Sequence, residues 1–333
     1  MISKSVLDTI GNTPLVQLSR LCSGRNGTIL AKLENVNPGM SKKDRIAKHI
    51  LERARSNGVL KPGQTVLELT SGNTGTGLAI ACSVLGHPFI AVISEGNSNE
   101  RVKMMEAFGA KVVQVPQVSN STKNQVTGAD LKLVEEVAKQ LCQDLGAFRV
   151  DQFTRSWNSE AHCVGTADEI IKQTNAGQFD AFVDFVGTGG TYAGCMSAFK
   201  KNNPSVKGYI VEPRNASVLS SMFMKDKVQP YLNAKHKIQG GGYSMRDLPL
   251  LDASFFETHV DGYIGVSDEQ AIEATRLLAR QEGILGGFSS GANIAAALSL
   301  IDKGEAECVV VIVCDSGMKY LSTDLWGCNH SDR

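Results

Sequence analysis

The chain reads as an α/β protein of two lobes, each built on a mostly parallel sheet flanked by helices. Three observations predict this. Short apolar runs rich in β-branched residues alternate with amphipathic stretches; most runs are followed by a turn and a helical pattern; and 333 residues suffice for two packed units with a sizeable core. The strand candidates, in order, are TILAKLE (28–34), TVLELT (65–70), FIAVIS (89–94), KVVQVP (111–116), AFVDFVG (181–187), GYIVEP (208–213) and VVVIVCD (309–315). Between the first two, Ile46, Ala47, Ile50, Leu51 and Ala54 recur at the spacing of one buried helical stripe. The polar stretch 116–128 predicts an exposed loop, and 212–245 a long irregular excursion. A smaller lobe is expected over 41–152, with 1–40 and 153–333 forming a larger one.

Composition narrows the function. Lys plus Arg and Asp plus Glu both number 34, so the formal charge cancels, and there is no dense basic run or basic–aromatic interleaving; nucleic-acid and membrane-surface binding are poor expectations. The start, MISKSVLDTIGNTPLV, lacks a signal peptide's apolar core, and runs such as VVVIV are far too short to span a bilayer, so a cytoplasmic location is expected. Eight cysteines are scattered without a CxxC pair and read as mostly buried thiols, and six histidines show no metal spacing. No metal is expected.

The stretch NPGMSKKDRIAKHI (37–50) is an odd helix start. Lys42 and Lys43 follow a candidate cap at Ser41, in the first turn, where the helix dipole disfavours positive charge. Lys43 lies three, four and seven residues before Ile46, Ala47 and Ile50, and so projects on the apolar stripe, whereas Lys42 lines up with Arg45, His49 and Arg53. The plain alternative is that both snorkel to water. A lysine held on an apolar face at a helix N-terminus instead has its charged form disfavoured, which leaves a nucleophilic amine of the kind that forms an imine.

Two glycine-rich turns each join a strand to a helix. One carries Thr70, Ser71, Gly72, Asn73, Thr74 and Gly75; the other carries Gly187, Thr188, Gly189, Gly190 and Thr191. Each is either a tight βα turn or a site where backbone N–H groups and hydroxyls meet a carboxylate or phosphate, and two such sites suit a ligand with two anionic ends. The second turn also partly matches a dinucleotide-binding loop, with Glu212 as the distant acidic residue, but Tyr192 stands where the third glycine belongs.

Taken together, the segments resemble the cysteine synthase and cystathionine β-synthase family of pyridoxal-phosphate enzymes over nearly the whole chain. The runs that carry the resemblance are IGNTPLV (10–16), NPGMSKKDRIA (37–47), TSGNTG (70–75), QF (152–153), VGTGGT (186–191), VEP (211–213), HKIQG (236–240), EGILGGFSSGA (282–292) and YLST (320–323). The motifs are closest to those of O-acetylserine sulfhydrylase. The resemblance implies the fold of type II pyridoxal-phosphate enzymes, similar to tryptophan synthase β, with the larger lobe binding the cofactor and the smaller, mobile one carrying the substrate-carboxylate loop.

It also implies roles. The family's SxKDR motif places the Schiff-base lysine at Lys43, which leaves Lys42 as its solvated neighbour. Asn73 is expected on the cofactor's ring hydroxyl, Gly187 to Thr191 around its phosphate, and Ser289 opposite its pyridine nitrogen, although Ser289 and Ser290 also suit helix capping. A hydroxyl partner leaves the ring neutral, which suits β-elimination. Thr70, Ser71, Gly72, Thr74 and Gln152 are expected to hold the amino-acid carboxylate. The implied reaction is a ping-pong β-replacement on an O-activated serine through an α-aminoacrylate, with sulfide as nucleophile and cysteine as product. Family members are commonly homodimers, which the apolar fraction of this chain permits.

Several positions depart from the family. Met40 and Lys42 replace small and apolar residues, Asn97 and Asn99 stand near where cysteine synthases carry TMS, QGGGYSM (239–245) replaces QGIGAGF, and SGMKY (316–320) replaces SGERY. Tyr243 is closer to the cystathionine synthases. The cofactor shell is intact and the surroundings of the nucleophile are altered, by drift or by a changed acceptor or donor. Serine, phosphoserine or cysteine as donor, with cystathionine synthase, cysteine lyase or desulfhydrase activity, is therefore the alternative. Outside the enzyme class stands a non-catalytic relative that senses a metabolite; a nicotinamide oxidoreductase is disfavoured by Tyr192.

Overall fold

The computed structural model describes residues 2–118, 126–223, 236–242 and 248–327. Its strands are β1 (Leu15–Gln17), β2 (Thr28–Leu33), β3 (Val66–Leu69), β4 (Phe89–Ser94), β5 (Lys111–Val115), β6 (Phe148–Arg149), β7 (Ala181–Phe185), β8 (Lys207–Pro213), β9 (Gly262–Val266) and β10 (Cys308–Val313). The helices are α1 (Lys43–Ser56), α2 (Asn73–Leu85), α3 (Asn99–Ala107), α4 (Gly128–Leu145), α5 (Trp157–Ala161), α6 (Asp168–Gln173), α7 (Gly190–Asn202), α8 (Val218–Phe223), α9 (Ala253–His259), α10 (Asp268–Glu282) and α11 (Phe288–Asp302). None is long and apolar enough to cross a membrane.

Two sheets result, ordered β1-β2-β10-β7-β8-β9 and β5-β4-β3-β6. Among the described strand pairs only β1–β2 is antiparallel. In the larger sheet β10 is central, with Val309 opposite Ile29 of β2 and Ala181 of β7. Its side chains alternate: Val309, Val311 and Val313 pack with α10 and α11, whereas Val310 and Ile312 pack with Tyr192, Cys195 and Met196 of α7. Because both faces are covered by helices, the strand is apolar throughout. Strand β7 alternates in the same way, which puts Phe182 and Asp184 on the α7 face. In the smaller sheet, α1, α2 and α3 cover one face and α4 the other.

The seven expected strands are present within a residue or two of their expected ends. Three strands were not legible: β1 and β6 have three and two residues, and β9 (GYIGV) is broken by glycines. Residues 119–125 of the expected polar loop lie outside the described residues, as do 224–235 and 243–247 of the expected excursion, Tyr243 among them. Glu212, the acidic residue of the dinucleotide alternative, accepts from the backbone N–H groups of Leu219 and Ser220 at 2.7 and 2.9 Å and so caps α8. Tyr192 is buried and donates its hydroxyl to the His259 carbonyl at 3.0 Å.

Candidate active site

The turn from β3 into α2 is organised by its first threonine. Thr70 Oγ1 accepts from the N–H groups of Gly72 and Gly75, both at 2.9 Å, and Gly72 takes φ +122°, which favours glycine. Thr74 donates its hydroxyl to Gln152 Oε1 at 2.6 Å, and Gln152 Nε2 donates to the Leu69 carbonyl at 2.9 Å, so the turn and Gln152 form one rigid unit. The second turn leaves β7 through Gly189, at φ +84°, and opens the N-terminus of α7. Asn158 joins the two turns, its Nδ2 donating to the Gln152 carbonyl at 2.7 Å and to Thr188 Oγ1 at 3.0 Å. Beneath, His162 Nε2 lies 3.2 Å from Thr191 Oγ1. His162 is held neutral, first by burial and then by the charges of Lys43 and Lys42.

Lys43, Ser71, Asn73, Thr74, Gln152, Gly187 and Thr188 line a single cleft, together with Gly240 and Phe153. Thr70, Gly72, Gly189, Gly190 and Thr191 shape the turns behind its wall. Ser289 lies in the first turn of α11, capped by Gly287, and a side chain at Gly240 would meet its hydroxyl at 3.5 Å. Ser290 instead accepts from the Cys314 N–H at 2.9 Å and ties α11 to the end of β10.

Lys43 is half-buried and lines this cleft. Burial, and next the neighbouring Lys42 charge, push its amine down to about 8. The expectation that Lys42 is solvated is overturned: it is 7% exposed and its Nζ donates to Asp184 Oδ1 at 2.7 Å. Asp184 occupies the α7 face of a fully buried strand, where an isolated carboxylate is prohibitively costly, and that cost draws Lys42 inward. Burial works to lower the Lys42 amine, but the Asp184 carboxylate outweighs it and holds the ammonium charged. Arg45 is likewise buried and not a solvated flank; it pairs with Glu34 and Glu169 at 2.6 Å. Ser41 does not cap the helix in the expected way: Lys42 occupies the cap position, and Ser41 Oγ accepts from the Lys43 N–H at 3.2 Å.

Asn73 is held at both ends of its amide. Nδ2 donates to Asp315 Oδ2 at 2.7 Å and Oδ1 accepts from Lys319 Nζ at 2.8 Å, which fixes the amide orientation and leaves the second Nδ2 hydrogen for a ligand. Asp315 Oδ2 also accepts from the Tyr320 hydroxyl at 2.6 Å, and Tyr320 accepts from Arg101 Nη2 at 2.9 Å. Arg101 Nη1 reaches the Ser71 carbonyl, so α3 is bound both to the first turn and to the C-terminal segment. None of Asp184, Asn158, His162, Arg101, Asp315 and Lys319 was found from sequence. Lys319 lies within SGMKY, a run noted as a departure, and the isolated carboxylate in AFVDF is a signal that could have pointed to Asp184.

The donor set fits a phosphorylated aromatic aldehyde. The glycines of the loop have no room for side chains: a Cβ at Gly187 would lie 2.8 Å from the Gly240 carbonyl oxygen, and one at Gly190 would run into Asn158 Oδ1. Bare backbone at the N-terminus of a 13-residue helix suits a phosphate, a low-pKa amine suits an aldehyde, and the free Asn73 hydrogen suits a ring hydroxyl. Beside the cleft, sharing Ser71 and Gly240 with it, opens a chamber of about 590 Å³ lined by Asn97, Asn99, Glu95, Glu100, Lys237 and Asp324, among others.

A family model described as pyridoxal-phosphate dependent enzyme matches residues 6–315. A cysteine synthase of Staphylococcus aureus is 35% identical over 323 residues, 97% of this chain and 96% of that one. Among solved structures, O-ureido-L-serine synthase superposes with TM-score 0.84 at 34% identity, covering 100% of this chain and 98% of that one. An O-acetylserine-dependent cystathionine β-synthase from Helicobacter pylori superposes with TM-score 0.86 at 29% identity, covering 98% and 100%.

Proposed function

Because the chain belongs to the pyridoxal-phosphate-dependent enzyme family, we propose that Lys43 carries the cofactor and that the enzyme replaces the Cβ substituent of an O-activated serine such as O-acetylserine, with sulfide as nucleophile and cysteine as product. The observation that carries this reading is the meeting of Lys43, the carboxylate turn and the glycine loop on one cleft. When bound, pyridoxal phosphate withdraws electrons from the Cα of the amino acid it holds, so that the Cα proton becomes acidic and the group on Cβ can leave.

The residues supply the rest. Gly187 to Thr191 hold the phosphate with backbone N–H groups, and Asn73 donates to the ring hydroxyl. Ser289 would offer the ring nitrogen a hydroxyl and no charge, which suits a reaction in which a group leaves Cβ. Ser71, Thr74 and Gln152 anchor the amino-acid carboxylate, with Thr70 and Gly72 shaping the turn. A donor anchored there would lie on the cleft that Lys43 lines, where the Lys43 amine would take its Cα proton. The smaller lobe, 41–152, carries the carboxylate turn and closes on the donor, while 1–40 and 153–333 hold the cofactor. Homodimer assembly and a cytoplasmic location belong to the same reading, and light scattering of the purified protein tests the dimer.

The chamber beside the cleft favours a second reading, in which a polar nucleophile larger than sulfide adds at Cβ. Its volume of about 590 Å³ and its amide lining exceed what sulfide needs. Two similar proteins, named for making O-ureidoserine and cystathionine, put larger groups on a serine-derived carbon. Product analysis separates the readings: the purified protein is given O-acetylserine, serine, phosphoserine or cysteine, each with sulfide, homocysteine or hydroxyurea. Cysteine formed from O-acetylserine and sulfide faster than any other product supports the first reading. Faster formation of cystathionine or O-ureidoserine supports the second, and no product from any pair refutes both.

A further inference from the structure

Next to Lys43 in the chain begins a charged pair that lines neither the cleft nor the chamber. Lys42 and Asp184 meet at 2.7 Å and are 7% and 2% exposed. The Lys42 backbone N–H donates to the Cys314 carbonyl at 2.9 Å, so this residue is tied to β10 by its main chain and to β7 by its side chain. These two strands are neighbours in the larger sheet. Directly after this double anchor α1 leaves for the smaller lobe, where Ile46, Ala47, Ile50 and Leu51 join the core beneath the other sheet.

The titratable groups around the two lysines come from β10, α7 and the turn of helix at 162–167. Cys314 and Cys195 are thiols that burial pushes up and holds neutral, and His162 is neutral for the same reason. With these groups neutral, the charges left acting on Lys43 are Lys42, at the N-cap of α1, and Asp184, on β7, and of the two Lys42 acts more strongly.

Mechanical attachment alone is a poor account of this pair. Packed apolar side chains of similar volume hold a helix as well without desolvating two charges, and replacing a buried ion pair by them is often neutral or stabilising. What the ion pair adds is a fixed field. We propose that Lys42 and Asp184 are positioning residues for the reaction: the pair anchors the first turn of α1 to the sheet and fixes a positive charge on the residue next to Lys43, which adds to burial in favouring the free-amine form of Lys43. The proposal rests on the reading that Lys43 is the cofactor lysine.

Competitive acetylation across pH, with the Lys43 peptide followed by mass spectrometry, tests it on the full chain stripped of cofactor. In the unsubstituted protein the Lys43 midpoint is expected near 8, with Lys42 unreactive. In Lys42→Met/Asp184→Leu, which keeps volume and removes both charges, the midpoint is expected to rise by about half to one pH unit, leaving about three- to tenfold less free amine at neutral pH. The pH midpoint of the visible band of the loaded protein moves in the same direction, and Lys42→Arg, which keeps the charge, stays at the original value. A folded double variant with an unshifted midpoint overturns the proposal, as does an ordinary lysine midpoint in the unsubstituted protein. A double variant that fails to fold by circular dichroism also overturns it, because the pair is then structural. Failure of the underlying reading is recognised separately, by a visible band that survives Lys43→Ala.

Discussion

At Lys43, burial and the adjacent Lys42 charge both work against the ammonium form, and at Lys319 burial does the same, so both amines are pushed down to about 8. In the unfolded chain each returns to its ordinary value of 10.5. Between pH 8 and 10.5 the unfolded state therefore binds more protons, and the stability of the cofactor-free protein from these groups rises with pH across that window. The urea midpoint of the unsubstituted protein, taken relative to that of Lys43→Met or Lys319→Met, is expected to rise from pH 7.5 to 10; the buried thiols, whose pKa values are raised, oppose the absolute rise equally in all three proteins. Removing one member of the buried pair has a different signature: Asp184→Ala leaves the Lys42 ammonium alone and costs about 3–5 kcal/mol in urea unfolding. Lys43 was legible because its own helix carries the apolar stripe that it joins. Lys42 was misread because its partner stands 142 residues away, and a helical pattern contains no term for a carboxylate on another strand.

Among the elements, the turn between β7 and α7 depends most on having no side chains. Gly190→Ala would drive a methyl group into Asn158, which holds both Thr188 and the Gln152 carbonyl. The displaced turn is expected to weaken pyridoxal-phosphate affinity by at least about tenfold, measured by titrating the cofactor into the stripped protein, with little change in secondary structure. The strand-turn-helix layout of this loop and of Thr70 to Gly75 was legible from glycine spacing and the β-branched runs before them. The hydrogen bonds between the turns were not. Asn158 and His162 sit on α5 and the following π-helical turn, whose short, polar segments carry no periodic signal.

Across the whole molecule, Arg101 links parts far apart in sequence: it lies on α3 beside the smaller sheet, holds the Ser71 carbonyl and bonds Tyr320 near the C-terminal end. Arg101→Leu unmakes these bonds while keeping an apolar stem, and is expected to cost about 2–4 kcal/mol in urea unfolding and to raise the donor KM more than it lowers kcat. The parallel parts of the two sheets were legible as a pattern, since buried parallel strands are apolar on both faces. Their meeting along one cleft followed only from matching motifs across the chain, because packing between distant segments leaves no local trace in composition. The proposed chemistry requires that Lys43 binds pyridoxal phosphate and then works on an activated serine. Its most direct test is the visible absorption spectrum of the purified protein during addition of O-acetylserine. A cofactor band that is absent in Lys43→Ala, and is replaced by a longer-wavelength band on adding the donor, is the predicted result. A protein that stays colourless with added pyridoxal phosphate, or whose band persists in Lys43→Ala, would contradict it.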